Sequence, residues 1–415
     1  MTVFIVLFFF LFSATGVAGE KNLLTLDQAI EKGLSQNPSI AAAYYATQAA
    51  FARPSQAATP PDPEFMIQFT EVPINTADVS QGMTEYMVEQ RIPFPSKLVY
   101  GYKAEKRRAE AFQSREAMTA QEIVRQIKHA YADAWRLQEE EKINKQTLSI
   151  YRQNKGVTET AYATLKGSVA DPVRASVDLG EIEGQLALIE QEHIESVANL
   201  SSLISEALDQ SMRVSQPQEP PPVASLNELL ETAKAARPEI SEAHKMIASE
   251  SANLSKAKSE YGPDLTLRWG YVDMPGNLQN AWTGRIGVSV PLWSLSKQRF
   301  GVKESNAMLK RAESLKVEAE QSTEADVKSS YARLAAAKKV MRVYSGTVIP
   351  RARLLLSSSQ EAYRSGKGDF LSVVDSIRSL NNAQLMLVRA RADAVIAYSD
   401  LERAVGTNPA KERTK

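Results

Sequence analysis

Two stretches of 69 residues, 97–165 and 297–365, are almost free of helix breakers: the first holds only Gly101 and Gly156, the second Gly301, Gly346 and Pro350. At 1.5 Å per residue each predicts a helix on the order of 100 Å long, against a globular mean of about 11 residues. Such a rod cannot wrap itself in a globular core, so it must be paired sideways along its length. The pairing pattern is written as heptads. Val327, Leu334, Met341, Val348 and Leu355 recur every seven residues, with Tyr331 and Ala352 between them and Lys338 and Ser345 interrupting. Ile123, Ile127, Ala130, Ala134 and Leu137 form the matching stripe of the first run, and this is coiled-coil spacing. The stripe is narrow and rich in Ala, which suits helices laid side by side as a layer of rods.

The two rods belong to two copies of one unit. Leu26-Asp27-Gln28-Ala29-Ile30, leading to Asn37-Pro38, is answered by Leu226-Asn227-Glu228-Leu229-Leu230, leading to Arg237-Pro238. Pro61-Asp62 is answered by Pro263-Asp264, Ile92-Pro93 with Lys97 by Val290-Pro291 with Lys297, and Tyr131-Ala132 by Tyr331-Ala332. Ala161-Tyr162 with Lys166-Gly167 is answered by Ala362-Tyr363 with Lys367-Gly368. The expected organisation is a first repeat over 19–212, a proline-rich linker over 213–225 containing Gln216-Pro217-Gln218-Glu219-Pro220-Pro221-Pro222, and a second repeat over 226–405. Consecutive prolines exclude both helix and central strand from that linker. Each repeat reads as two shorter helices, two strands, a very long helix (97–165 and 297–365), a turn and a return helix (172–208 and 370–405). Residues 406–415 are expected to be a disordered tail.

Several function classes fall away on composition. Lys plus Arg and Asp plus Glu are both 49, so no basic excess exists to hold nucleic acid. The absence of Cys removes disulfides, thiolate metal sites and thiol nucleophiles. The three histidines, His129, His193 and His244, are far apart, and no GxSxG, P-loop, GxGxxG or HExxH motif occurs. Runs such as Glu139-Glu140-Glu141 fit solvated helix faces. No enzyme activity, cofactor or metal is expected. Residues 3–12 are an apolar run followed by Gly16-Val17-Ala18, which predicts a signal peptide over 1–18 and export. No later run reaches the roughly 20 apolar residues a membrane helix needs, so entry into a membrane would require β-strands.

Four segments have that form. Over 64–72 Phe65, Ile67 and Phe69 oppose Met66, Gln68 and Thr70; over 84–92 Tyr86, Val88 and Ile92 oppose Glu85, Glu89 and Arg91. Over 264–272 Leu265, Leu267, Trp269 and Tyr271 oppose Thr266 and Arg268; over 282–290 Trp282, Ile286, Val288 and Val290 oppose Thr283, Arg285 and Ser289. Nine residues with one apolar and one polar face match a transmembrane β-strand whose charges line a lumen, here Glu85, Glu89, Arg91, Arg268 and Arg285. The same alternation would suit a soluble sheet on a helix layer. If the strands do span lipid, four cannot close a barrel, the smallest known having about eight. An open edge in lipid would leave backbone groups unpaired at several kcal/mol each, so other copies must complete it. Three copies give twelve strands, whereas two give eight, too few for a water-filled bore.

The duplicated half with Leu-x-x-Ala-Ile and Asn-Pro-Ser-Ile at 26–40, the junction Gln90-Arg91-Ile92-Pro93-Phe94-Pro95-Ser96-Lys97, and Val290-Pro291-Leu292-Trp293 together resemble the TolC-like outer-membrane efflux factors over nearly the whole chain after the leader. The junction is most similar to the heavy-metal, CzcC-like branch. The resemblance implies a mainly α protein with a β-barrel. Each protomer would supply four transmembrane strands and long coiled-coil helices in two repeats, and a homotrimer would form a twelve-stranded barrel on a periplasmic α-barrel. It implies a passive exit duct of a tripartite pump in the outer membrane, with a large periplasmic portion. Its partners would be outer-membrane lipid, a periplasmic adaptor and an inner-membrane transporter of the RND type, and heavy-metal cations are a candidate cargo. A periplasmic coiled-coil adaptor and the outer-membrane component of type I protein secretion are the alternatives.

The resemblance also assigns residues. Asp171 and Tyr363 fall where the family has a gate carboxylate and a gate tyrosine that hold its periplasmic mouth shut, Asp375 matches one of two constriction aspartates with Ser372 in place of the other, and Lys367 lies near, not at, the usual gate arginine. Asp171 has a plainer reading as the N-cap of a helix starting at Pro172. The two helical tips, with Lys166, Gly167 and Ser168 in one and Gly366, Lys367, Gly368 and Asp369 in the other, are expected to dock the adaptor, since each offers a Gly to reverse the chain and a Lys to meet a partner.

Overall fold

The computed structural model describes residues 23–75, 78–164, 168–276 and 278–407. The expected leader and the tail from 408 onward lie outside the described residues, as do Lys166 and Gly167. In chain order the elements are β1 (Leu23–Leu24), α1 (Leu26–Gln36), α2 (Pro38–Ala58), β2 (Glu64–Thr70), β3 (Met83–Ile92), α3 (Pro95–Ala163), α4 (Ala170–Ile204), β4 (Arg213–Val214), α5 (Leu226–Ala236), α6 (Pro238–Ser259), β5 (Asp264–Asp273), β6 (Ala281–Ser289), α7 (Gln298–Val343), α8 (Ile349–Arg364) and α9 (Phe370–Val405). A single 3-10 turn, Val79–Gln81, precedes β3, and a π-turn, Tyr344–Val348, joins α7 to α8.

Local signals account for the helix starts. Asn37 accepts the Ser39 N–H at 2.8 Å and Pro38 opens α2, where its missing N–H costs nothing. α5 opens with a reciprocal cap in which Ser225 Oγ accepts the Glu228 N–H and Glu228 Oε2 accepts the Ser225 N–H at 2.9 Å. The first expected rod is one helix of 69 residues, beginning at Pro95 instead of 97 because Pro95 is suited to a first turn. The return helix α4 starts two residues before the expected 172 and ends at Ile204, where Ser205 turns left-handed at φ 54°. The first two positions assigned to the linker are instead the strand β4, paired in parallel with β1.

The second rod departs from its heptads. Val327 and Leu334 are buried, but Leu355 is 51% exposed, and the buried positions are Ile349, Ala352 and Leu356. Ile349 and Leu356 each lie one residue beyond the place a constant seven-residue count from Val327 gives, whereas Ala352 is buried at its expected place. The cause is the π-turn, whose wider winding takes up one extra residue. Pro350, which has no N–H to give the preceding turn, sits just after it. The first rod contains no such turn, and Ile123, Ile127, Ala130, Ala134 and Leu137 are all buried as expected.

Contacts divide the described residues into two units. One comprises 23–32, 127–218 and 341–392 and is helical apart from the β1–β4 pair. There Tyr131, fully buried, hydrogen-bonds to the Leu24 carbonyl at 2.9 Å and meets Ser215 Oγ at 2.8 Å, fixing that pair against α3. Its core is built around Tyr151, Ile182, Leu356, Phe370, Val374 and Ile377. The other unit comprises 33–126, 219–340 and 393–407. It carries a four-stranded antiparallel sheet in the order β2-β3-β5-β6, flanked in sequence by α2, α6 and the near ends of α3 and α7. Among the described residues no helix is long and apolar enough to cross a membrane.

Candidate channel-lining and closure sites

The strand register separates the two faces of the sheet. Glu64 pairs with Glu89, Glu89 with Arg268, and Arg268 with Arg285, so four charged side chains form one row across all four strands. Period-two alternation puts Glu85 and Arg91 on that same face. Arg268 makes a bidentate hydrogen bond to Glu89 Oε2, through Nε at 2.7 Å and through Nη2. The opposite face is apolar and bare: Phe65 is 79% exposed and Ile286 75%, with Ile67, Trp269, Trp282 and Val288 also open. Trp269 stacks on Trp282 with ring centroids 5.1 Å apart, and Tyr271 meets Trp282 edge-on at 5.3 Å. A soluble sheet would turn such a face onto helices, because contiguous exposed apolar patches of this kind are rare in water.

Where the sheet meets the helices, Asp264 gathers the first repeat's junction. It accepts Arg91 Nη2 at 2.9 Å, the Phe94 N–H at 2.9 Å and Lys97 Nζ at 2.8 Å, and Lys97 also pairs with Glu260 at 3.2 Å. Burial alone would lower the Lys97 pKa, but its hydrogen bonds to Asp264 and Glu260 outweigh that and raise it above the ordinary lysine value. The Arg91-x5-Lys97 spacing is thus explained by one carboxylate that both cations reach. The sequence alone puts Arg91 on the lumen face and does not reveal its partner.

In the helical unit, Asp171 and Tyr363 are brought together across 192 residues: the Tyr363 hydroxyl donates to Asp171 Oδ2 at 3.1 Å. Burial, then the Asp171 charge and the hydrogen bond to it, push the Tyr363 pKa up to about 12, so the phenol stays a donor at neutral pH. The Tyr363 ring lies 5.5 Å from that of Phe370, which orients it. Asp171 does not cap its helix. α4 begins at Ala170, so Asp171 is inside the first turn, while Ser168 Oγ accepts the Ala170 N–H at 3.2 Å. A carboxylate in that turn still gains from the helix dipole.

The second tip is equally specific. Gly366 has φ +73°, a left-handed conformation that suits glycine. A Cβ on Gly368 would come within 3.0 Å of the Ala362 Cβ. Asp369 accepts the Ser372 N–H at 3.0 Å and so caps α9. Lys367 and Asp375 are exposed.

One cluster escaped the sequence reading. Asp178 is 2% exposed, and its Oδ1 accepts Arg378 Nη2 at 2.6 Å while Oδ2 has no hydrogen-bond partner. Arg378 also reaches Glu181 at 3.2 Å. Burial raises the Asp178 pKa against the opposing charge of Arg378. The repeat gives no signal for it, since the offset that sets Tyr162 against Tyr363 sets Asp178 against Ser379 and not against Arg378. Among the described residues no group of His, Asp and Glu is arranged to hold a metal ion.

With this geometry in view, the comparisons with known proteins can be set beside it. Residues 229–407 match the family model described as outer membrane efflux protein. The protein is accordingly placed in the outer membrane, with a large helical portion in the periplasm. The fold is that of solved outer-membrane channels. It resembles OprN (18% identity, 92% of this chain and 89% of that one, TM-score 0.79). It equally resembles CusC (17%, 95% and 96%, TM-score 0.79) and VceC from Vibrio cholerae (17%, 92% and 96%, TM-score 0.78). No curated protein sequence matches the chain.

Proposed function

We propose that the protein is the exit duct of a tripartite efflux pump: a passive homotrimeric channel that takes substrate from an inner-membrane transporter of the RND type through a periplasmic adaptor. The observation that carries this reading is the sheet, with an exposed face of Phe65, Ile67, Trp269, Trp282 and Ile286, a charged face bearing Glu89, Arg268 and Arg285, and two open edges. Lipid is the solvent that matches the first face, water the second, and two further copies would supply partners for the edges. In this reading Asp171 and Tyr363 hold the periplasmic mouth closed, Asp375 adds charge near it, and the tips at Ser168 and at Gly366, Lys367, Gly368 and Asp369 meet the adaptor. The CzcC-like junction favours heavy-metal cations as cargo.

The test is an outer-membrane preparation. A trimer resistant to mild detergent, forming ion-conducting pores in planar bilayers, is the expected result; a monomeric periplasmic protein would refute the duct. Sensitivity of a deletion strain to zinc, cobalt or cadmium salts, relieved by the plasmid-borne gene, tests the cargo separately.

A further inference from the structure

The Asp264 clasp belongs to a duplicated chain, so its counterpart can be located. In the first repeat Pro61-Asp62, two residues before β2, answers Pro263-Asp264 in the second, where Asp264 opens β5. Ser296-Lys297, four residues before Gly301, stands where Ser96-Lys97 stands before Gly101. Within one chain β3 lies beside β5, and this brings Asp264 to Lys97. The equivalent neighbours for Asp62 and Lys297 would be β2 and β6. These are the two outer strands of the sheet, separated by β3 and β5, or by three strand spacings of roughly 14 Å in all. Asp62 and Lys297 are both exposed, and among the described residues neither has an ion pair or a side-chain hydrogen bond.

We infer that Asp62 of one copy and Lys297 of the next form the second clasp, closing β2 of one protomer onto β6 of its neighbour in the arrangement that β3 and β5 adopt within the chain. The occupant of each edge is a second copy of this protein, because only another copy presents the complementary half. The helices point the same way. α3 is held on two flanks, by Thr47 of α2 donating to the Phe112 carbonyl at 3.3 Å and by Ser249 of α6 donating to the Ala104 carbonyl at 2.9 Å. α7 leaves Phe300, Met308 and Leu315 exposed, and α2 leaves Tyr45 and Phe51 exposed. Joining the two edges covers both apolar strips. The second clasp is thinner than the first: Ser289 stands where Arg91 does, and the Leu292 N–H is taken by the Val290 carbonyl, so Lys297 acts alone.

This inference rests on the trimer proposed above, and the absence of native cysteine makes the two separable. The full chain carrying both Asp62→Cys and Lys297→Cys is oxidised in outer-membrane fragments and run on a non-reducing gel. A ladder ending at covalent trimer is expected, with no cross-link from either single variant. Glutaraldehyde treatment of the same fragments reports the trimer independently. Trimer by glutaraldehyde without the disulfide ladder overturns the clasp alone, whereas no trimer by either route overturns the assembly and the clasp together. As a check that does not depend on cysteine, Lys297→Asp should lower the temperature at which the trimer dissociates, and adding Asp62→Lys should restore it. A swap that fails to restore it refutes the pairing.

Discussion

Replacing Tyr363 by Phe removes one oxygen and little else. The ring keeps its place beside Phe370 at 5.5 Å, while the hydrogen bond to Asp171 Oδ2 at 3.1 Å is lost. A hydrogen bond to a charged group contributes about 1.5 to 3 kcal/mol. Both side chains are half-buried, so water replaces part of the loss, and about 1 kcal/mol per protomer is a fair discount. In the proposed homotrimer, with the pair closing the mouth, three such copies would give about 3 kcal/mol, or a ~150-fold shift toward the open state, since each 1.36 kcal/mol is tenfold. The assay is open probability in planar bilayers, with entry of a bulky antibiotic into cells as the second readout and trimer yield as the control. The same reasoning fixes a pH dependence. Because the Tyr363 pKa lies above its ordinary value, the bond is intact below pH ~10 and is lost as pH rises toward about 12, so the wild type should approach the variant only in strong alkali. Unchanged open probability in Tyr363→Phe, together with a fall in thermal stability, would show that the pair braces the helices and does not close the mouth.

Three other expectations can be checked with standard preparations. Ile286→Arg should block insertion or trimer yield, costing about 2 to 4 kcal/mol near the membrane midplane, whereas Arg285→Ile should leave assembly intact and alter conductance; equal tolerance of both in outer-membrane yield would defeat the barrel assignment. Asp178→Asn should be neutral or slightly stabilising at pH 7 in thermal melts, because burial raises the Asp178 pKa and the ionised form is the disfavoured one, with the difference from wild type vanishing as pH falls below the ordinary carboxylate value; marked destabilisation at pH 7 would mean that the Arg378 pair dominates. Gly366→Val forces a β-branched residue into φ +73° and should abolish export while the trimer persists, and unimpaired export would rule the second tip out of adaptor contact.

The strands were legible because period-two alternation survives any sheet geometry, and Trp269, Ile286 and Phe65 are as exposed as a lipid-facing reading requires. The first rod was legible for a similar reason, since Ile127, Ala134 and Leu137 keep a constant pitch. The second rod misled past Met341 because counting by sevens assumes that pitch never changes. The clue was local, Gly346 with Pro350 four residues later, but it reads equally as a tolerated break. Asp178 and Arg378 were hidden because a charged residue on a long helix ordinarily faces water, and only the fold sets one against the other at 2.6 Å. Asp171 and Tyr363 were found by resemblance, and nothing in their spacing would have joined them.

The π-turn at Tyr344–Val348 works as a shim between two lengths of rod. An α-helix advances ~100° per residue, so wound as plain α-helix the same sequence would turn everything beyond Val348 by that angle. Ile349, Ala352 and Leu356 would leave the core, and the phenol of Tyr363 would swing off the azimuth at which Asp171 waits. Removing one residue inside Tyr344–Val348 should therefore be almost silent, since the slack is taken up and every later residue keeps its heading. Removing one between 349 and 362 has no slack to consume and should undo the pair, which makes the aim of a side chain at one end of the helix a property of the residue count fifteen positions upstream.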